Sequence, residues 1–188
     1  MPIGALTIRR LTDAEQVAGF RCRSADGSSD LEEFLRADAL GYQQKHLSRV
    51  YLGYGGNILV GYFALCCCAI RLQAAREIDQ TAAAAAGLGD GAGLGIPGVL
   101  LARLAVDDAH QGRGLGSELF AWAVRIARQY VAPMVGCGFM VIDAYSHRVG
   151  FYQAQGCQPI GRERRHGEIR IVPMYFDLFP PDLQLPLD

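Results

Sequence analysis

Apolar positions along this chain of 188 residues change their period several times, and each change marks an element. Ile3 to Leu11 predict a first strand, ended by the polar turn Thr12-Asp13. Leu31, Phe34, Leu35, Ala39 and Tyr42 then recur at helical spacing, and Ser29 with Glu32 has capping-box spacing at that helix start. Arg49 to Tyr54 and Ile58 to Ile70 predict two strands joined through Gly55-Gly56-Asn57, a hairpin signal. Val99 to Val106 is nearly continuous in apolar residues and predicts a buried strand. It runs towards Gln111-Gly112-Arg113-Gly114-Leu115-Gly116, after which Leu115, Leu119, Trp122, Ala123, Ile126, Ala127 and Tyr130 mark an amphipathic helix.

Further on, Gly138 to Asp143 predicts a short strand, and Tyr145, Val149 and Tyr152 a second helical stripe that Gly156 is placed to end. Gln158 to Arg162 and Ile169 to Leu178 close the pattern as two strands before Pro180-Pro181. This order predicts an α/β sandwich around a mixed sheet. One stretch breaks the pattern: Ala82 to Ala86 is followed by glycine at every second position from Gly87 to Gly95. Its composition predicts a mobile excursion, over about residues 74–97, at the mouth of a site. Nothing in it has the character of a domain linker, and the length fits one domain over 1–188.

Composition narrows the function classes. A hydrophobic fraction of 51% with 20% charged residues is that of a globular protein. No apolar run reaches the roughly 18 residues of a membrane span, and the apolar part of the N-terminus is short for a signal peptide. Cys22, Cys66, Cys67, Cys68, Cys137 and Cys157 form no CxxC pair, and the four histidines have no metal spacing, so the expectation is reduced, mostly buried thiols, no metal and a cytoplasmic setting. A net charge of −1 argues against a strong global field for nucleic acid. Arg162, Arg164, Arg165, His166 and Arg170 concentrate locally, interleaved with Glu163 and Glu168, and read as a solvated hairpin.

The candidate chemistry starts at the glycine-rich turn. Where a strand feeds a helix through glycines, free backbone N–H groups and the positive end of the helix dipole meet. Gly112, Gly114 and Gly116 remove side chains that would hold a diphosphate away, and Arg113 offers a charge-assisted contact. Arg103 interrupts an apolar strand and must reach a carboxylate, a phosphate or solvent. Asp107 and Asp108 read as caps of the turn.

With Leu104-Ala105-Val106-Asp107 before it and Phe151-Tyr152 with Gly156 after, the Gln-x-x-Gly-x-Gly string resembles the GNAT superfamily of acyl-CoA-dependent N-acetyltransferases, over roughly Arg9 to Leu178. The resemblance implies a GNAT-like sandwich whose central mixed, mostly antiparallel sheet has a splayed pair of strands forming an acyl-CoA slot. It implies acetyl-CoA as co-substrate, its diphosphate on Gln111, Gly112, Arg113, Gly114, Leu115 and Gly116 and its pantetheine arm along Leu104, Ala105 and Val106. A bulge in that strand is expected to open the slot. Tyr152 is the candidate acid for the departing thiolate, against the plainer reading of a core tyrosine on the helical stripe. A dedicated base is not required, because an α-amino group titrates at about pH 8; Glu77 is the candidate if there is one. Tyr145 stands where many relatives carry asparagine, and Arg148 where a smaller residue is usual.

A narrower likeness lies in Leu31-Glu32-Glu33-Phe34-Leu35, Gln44-Lys45, Leu47-Ser48-Arg49-Val50-Tyr51 and Arg103-Leu104-Ala105-Val106-Asp107, which look like the acetyltransferase toxins of bacterial toxin–antitoxin pairs. That likeness implies acetylation of the amino acid on charged tRNA, with Arg36, Lys45, Arg49 and Arg103 as RNA contacts, and a small ribbon-helix-helix antitoxin as partner. Such toxins are strongly basic and this chain is not. Two other readings stay open: an acetyltransferase for a small-molecule or protein amine, and a non-catalytic CoA-binding sensor. A homodimer using the apolar strand Ile171 to Leu178 is a further expectation.

Overall fold

The computed structural model describes residues 5–13, 15–23, 29–70, 96–160, 162–167 and 169–180. The Ala/Gly-rich excursion and Glu77 lie outside the described residues, except that Ile96 and Pro97, expected at its end, open a strand instead. The chain forms two compact units, Met1–Cys66 with Leu101–Arg125 and Cys67–Leu100 with Ile126–Asp188.

The first unit holds β1 (Thr7–Arg10), α1 (Asp30–Glu33), α2 (Ala39–Gln44), β2 (Arg49–Gly55), most of β3 (Ile58–Ile70), the end of β4 (Ile96–Val106) and nearly all of α3 (Leu115–Ile126). β1 pairs antiparallel with β2, and β2 with β3 through the foreseen hairpin, where Gly56 takes a φ of 65°. A π-turn over Phe34–Asp38 joins α1 to α2, and Phe34, Leu35 and Ala39 pack with Val50, Leu52 and Tyr62 in one core. The expected capping box does not form. Ser29 Oγ donates to Glu33 Oε1 at 2.5 Å, while Glu32 turns inward to accept from the Cys22 amide at 3.1 Å. Burying a carboxylate with partners of its own outcompetes a cap that water can replace.

α3 is seated by two glycines. Gly53 and Gly61 face each other across β2 and β3, and Leu119 sits fully buried in the dent they leave. A Cβ added at Gly53 would lie 2.7 Å from Leu119 Cδ2, and one at Gly61 would lie 2.6 Å from Leu119 Cδ1 and 2.6 Å from the Ala105 carbonyl oxygen. The pairing of β2 with β3 shifts register right after Gly53. Leu119 burial contributes about 1.5–3 kcal/mol and fixes how close the helix start lies to the sheet.

The second unit holds the end of β3, the start of β4, α4 (Ala132–Val135), β5 (Phe139–Tyr145), α5 (Val149–Ala154), β6 (Gln158–Pro159), β7 (Arg164–His166) and β8 (Ile169–Asp177). Gly98 to Leu100 of β4 run parallel to Phe139 to Val141, and every residue of β5 pairs antiparallel with β8. The sheet is therefore mixed and mostly antiparallel, as expected. Ile70, Ile96, Ile160 and Tyr175 form its core with Phe139 and Val141 against them. Of the cysteines, Cys22, Cys137 and Cys157 are buried and Cys67 is exposed, with Cys66 and Cys68 between.

Four expectations need correction. Tyr145 belongs to β5, opposite Ile171, rather than to the following helix. Tyr130 is 67% exposed because a π-turn over Ala127–Val131 moves it out of the helical phase. The strand expected over Gln158 to Arg162 is only β6, Gln158–Pro159, while β7 and the start of β8 form the solvated hairpin expected around Arg162 to Arg170. β8 offers little free edge to a second copy, because β5 takes one side and β6 and β7 the other.

Candidate active site

In the first unit, the glycine-rich turn is held from both ends. Asp107 Oδ1 accepts from the Ala109 amide at 3.0 Å, capping a short 3-10 turn over Asp108–His110. The Gln111 side chain folds back, donating to the Val106 carbonyl at 3.2 Å and to Asp108 Oδ1 at 3.0 Å. Gly112 and Gly114 then adopt φ of 73° and 80°, a region that favours glycine. The Gly114 carbonyl accepts from Ser117 and Glu118, starting α3. Among the described residues, no carbonyl is paired with the amides of Gly112 to Gly116. They form a set of donors at the positive end of a helix of 12 residues, which suits a diphosphate. Arg113 is exposed beside them.

Asp107 and Asp108 do more than cap. Asp107 Oδ2 accepts from the Arg21 amide at 2.9 Å, Asp108 Oδ1 from the Arg23 amide at 3.1 Å, and the Asp108 amide donates to the Arg21 carbonyl at 2.8 Å. Glu32 completes this strap, accepting from Cys22 and from Arg36 Nη1 at 2.6 Å, with Arg21 Nη1 3.6 Å away. Sequence reading missed the strap; two adjacent aspartates at a strand end were its only signal.

Along β4, Ala105 is buried, and Leu104 and Val106 are half-buried. The ladder with β5 ends at Leu100, so from Leu101 to Val106 the edge of β4 away from β3 carries no strand among the described residues. Its main-chain groups can therefore accept an extended chain as an added strand would. The ladder with β5, which stops at Leu100, leaves that edge open.

The four candidate RNA contacts separate. Arg36 is taken up by Glu32 and by the Ala18 carbonyl, which both Nε and Nη2 approach. Arg49 donates to the Gln43 carbonyl at 3.2 Å and lies 3.0 Å from His46 Nδ1. Arg103 finds no carboxylate among the described residues: its guanidinium lies 5.0 Å from the Phe34 ring centroid and donates to the Ala102 carbonyl. Lys45 is exposed at the end of α2.

Tyr152, in the second unit, stands on α5 with its ring edge-on to Phe151 at 5.0 Å between centroids. Its carbonyl accepts from Gln155 and Cys157, and Gly156 ends the turn at a φ of 89°, the stop foreseen from sequence. Burial, and then the Cys157 thiol, push the phenol well above its usual range, with Arg148 opposing and Tyr145 adding. The group stays protonated across physiological pH. Burial likewise lifts the Cys157 thiol, to about 12.

Amides without a carbonyl partner at a helix start, and an unladdered strand edge before them, suit a long diphosphate ester. The profile of the acetyltransferase (GNAT) domain matches residues 71–178. The chain belongs to this family, the acetyl-CoA acyltransferases of the GNAT fold. Within it, the chain is 32% identical over 136 residues to the tRNA-acetylating toxin of Mycobacterium tuberculosis (strain ATCC 25618 / H37Rv), covering 72% of this chain and 74% of that one. Solved structures that share the fold include two of the AtaT toxin. AtaT complexed with acetyl-methionyl-tRNAfMet superimposes with a TM-score of 0.69 at 23% identity, covering 89% and 93% of the two chains. A tyrosine-to-phenylalanine mutant of the AtaT toxin, bound to the C-terminus of the antitoxin AtaR, gives 0.66 at 23% identity over 93% and 94%. Among the described residues no helix is long and apolar enough to cross a membrane, and no His/Cys/Asp/Glu group is placed to hold a metal.

Proposed function

We propose that this chain moves an acetyl group from acetyl-CoA to the α-amino group of an amino acid esterified to tRNA, and acts as the toxin of a toxin–antitoxin pair in the cytoplasm. The observation that carries the acceptor is the 32% identity to the tRNA-acetylating toxin. The chain acts as one acetyltransferase domain. The amides of Gly112 to Gly116 bind the CoA diphosphate with Arg113 beside them, and the backbone of Leu104 to Val106 aligns the pantetheine arm. The neutral amine attacks the thioester carbonyl, the tetrahedral intermediate collapses, and the carbon–sulfur bond breaks. Tyr152 gives its proton to the sulfur, and the new amide loses one to water. An ester on the adjacent carboxyl lowers the amine pKa, so enough free amine exists near neutrality without a dedicated base. The partner is a small ribbon-helix-helix antitoxin.

A net charge of −1 favours a second reading, acetylation of a small-molecule or protein amine. Thiol release separates the two. On charged tRNA the wild type turns over, and Tyr152→Phe loses about 10²–10⁴-fold in kcat while keeping its acetyl-CoA affinity. Expression of the wild type arrests growth, and the Tyr152→Phe variant does not. Normal growth, with turnover only on small amines, would replace the toxin by the second reading. Coenzyme binding without turnover on any amine would make the chain a sensor.

A further inference from the structure

If the acceptor is charged tRNA, something on the protein must hold its phosphates, and the residues first expected to do so are occupied. Arg36 and Arg21 serve Glu32, Arg49 serves Gln43 and His46, Arg103 lies on Phe34, and Arg128 donates to Leu178 and covers Phe176. The exposed cations with no such partner among the described residues include Arg10, Arg23, Lys45 and Arg113, spread singly. Among the described residues they concentrate at Arg162, Arg164 and Arg165, in and before β7, with Arg148 on the turn after β5.

The β7–β8 hairpin also carries an electrostatic cost that its own fold does not explain. Arg165 stands directly opposite Arg170 across the two strands, and like charges so placed repel. Glu163 lies 3.7 Å from Arg170, with both side chains at least 40% exposed, so it relieves one guanidinium through solvent, and among the described residues no carboxylate pairs with the other. Arg164, one residue along, points to the opposite face of the ribbon. The hairpin therefore presents guanidinium groups on both sides and is exposed at every described position from Arg162 to Arg170. It is tied to the turn that leads into the Tyr152 helix, because Ser146 Oγ bonds both Glu163 Oε2 at 2.9 Å and the Arg170 carbonyl at 3.1 Å. Screening limits these charges to about 8–10 Å in physiological salt, so the local excess governs what docks there and the net −1 does not.

We infer that the β7–β8 hairpin is the docking surface for the phosphate backbone of tRNA, with Arg164, Arg165 and Arg170 as its contacts and Arg148 on the turn that leads into the Tyr152 helix. This rests on the charged-tRNA reading. A polyanion would offset the Arg165–Arg170 repulsion, and phosphate contacts need no base readout.

The test pairs the Arg164→Ala/Arg165→Ala double variant with Arg164→Lys/Arg165→Lys. Uncharged tRNA is titrated by fluorescence anisotropy from 50 to 300 mM salt, and turnover is measured on charged tRNA and on an amino-acid methyl ester. The alanine pair is expected to lower the slope of log affinity against log salt by about 1.5, at about 0.7–0.9 for each phosphate that no longer meets a guanidinium. KM for charged tRNA should rise at least tenfold while turnover of the ester holds, and the lysine pair should recover most of the binding. Unchanged RNA affinity and slope, in an enzyme that acetylates charged tRNA, would overturn the inference alone and assign the hairpin to another kind of partner. Equal losses on RNA and ester would overturn it as a folding effect. Wild type inert towards charged tRNA would remove the functional reading and the hairpin with it.

Discussion

Gly114→Ala separates backbone geometry from ligand approach at the coenzyme cradle. Gly114 sits at a φ of 80°, and a Cβ built there meets nothing within 4 Å. No steric clash within the protein is therefore available to explain a loss of stability. What remains is the left-handed conformation itself, which costs an L-residue about 1–2 kcal/mol. A chain of this size should then melt about 2–8 °C lower, since each kcal/mol moves the midpoint by roughly 2–4 °C. Asn tolerates this region better than Ala, so Gly114→Asn should melt closer to wild type. Acetyl-CoA affinity reads a second quantity. If the amides must meet the diphosphate closely, any Cβ obstructs it, and both variants lose binding by more than their stability loss accounts for. Differential scanning calorimetry and titration calorimetry with acetyl-CoA give the two numbers. Equal melting of Ala and Asn variants would refute the dihedral argument. Wild-type affinity in both would refute the cradle.

Glu32→Gln should destabilise by about 2–3 kcal/mol in urea titration, below the roughly 3–5 that breaking a fully buried pair costs, because Arg36 is 32% exposed. Gly61→Ala should cost about 1–3 kcal/mol or more and weaken coenzyme binding, since Leu119 and the Ala105 carbonyl must both give way; wild-type behaviour in both assays would contradict the seating of α3. Burial raises the Cys157 thiol from 9.0 to about 12, so the unfolded chain loses that proton first. Its contribution is complete below pH 9 and disappears as pH rises towards 12, at no more than about 1.4 kcal/mol per pH unit. Stability curves from pH 7 to 10.5 should therefore fall more gently at the alkaline end in Cys157→Ala than in wild type.

The sequence was most readable where one residue type has one structural use. Gly56, Gly112, Gly114 and Gly156 all fall at positive φ, as their places in the hairpin, the cradle and the helix end required. Long apolar runs were equally clear, and β4 contains the expected Val99 to Val106 while starting earlier, at Ile96. Readings failed where a polar side chain had a distant partner. Glu32 has capping-box spacing, yet its partners are Cys22, Arg21 and Arg36, and nothing local announces them. Periodicity also misled at Tyr130 and Tyr145, because a π-turn adds a residue to one stripe and a strand end continues into the other. The cations were legible as residues but not as a surface. Sequence cannot say that Arg36 is spent internally while Arg165 faces Arg170.

The strap between residues 21–23 and the two aspartates bears on how the chain is born. Arg21 waits for a partner 86 positions downstream, and Leu6 for Glu118, 112 positions away. On a ribosome adding about 5–20 residues per second, the N-terminal strand emerges roughly 6–20 s before its last anchor is made. Closure of the first unit and assembly of the glycine turn thus come late in translation, and a truncated nascent chain carries no finished coenzyme cradle.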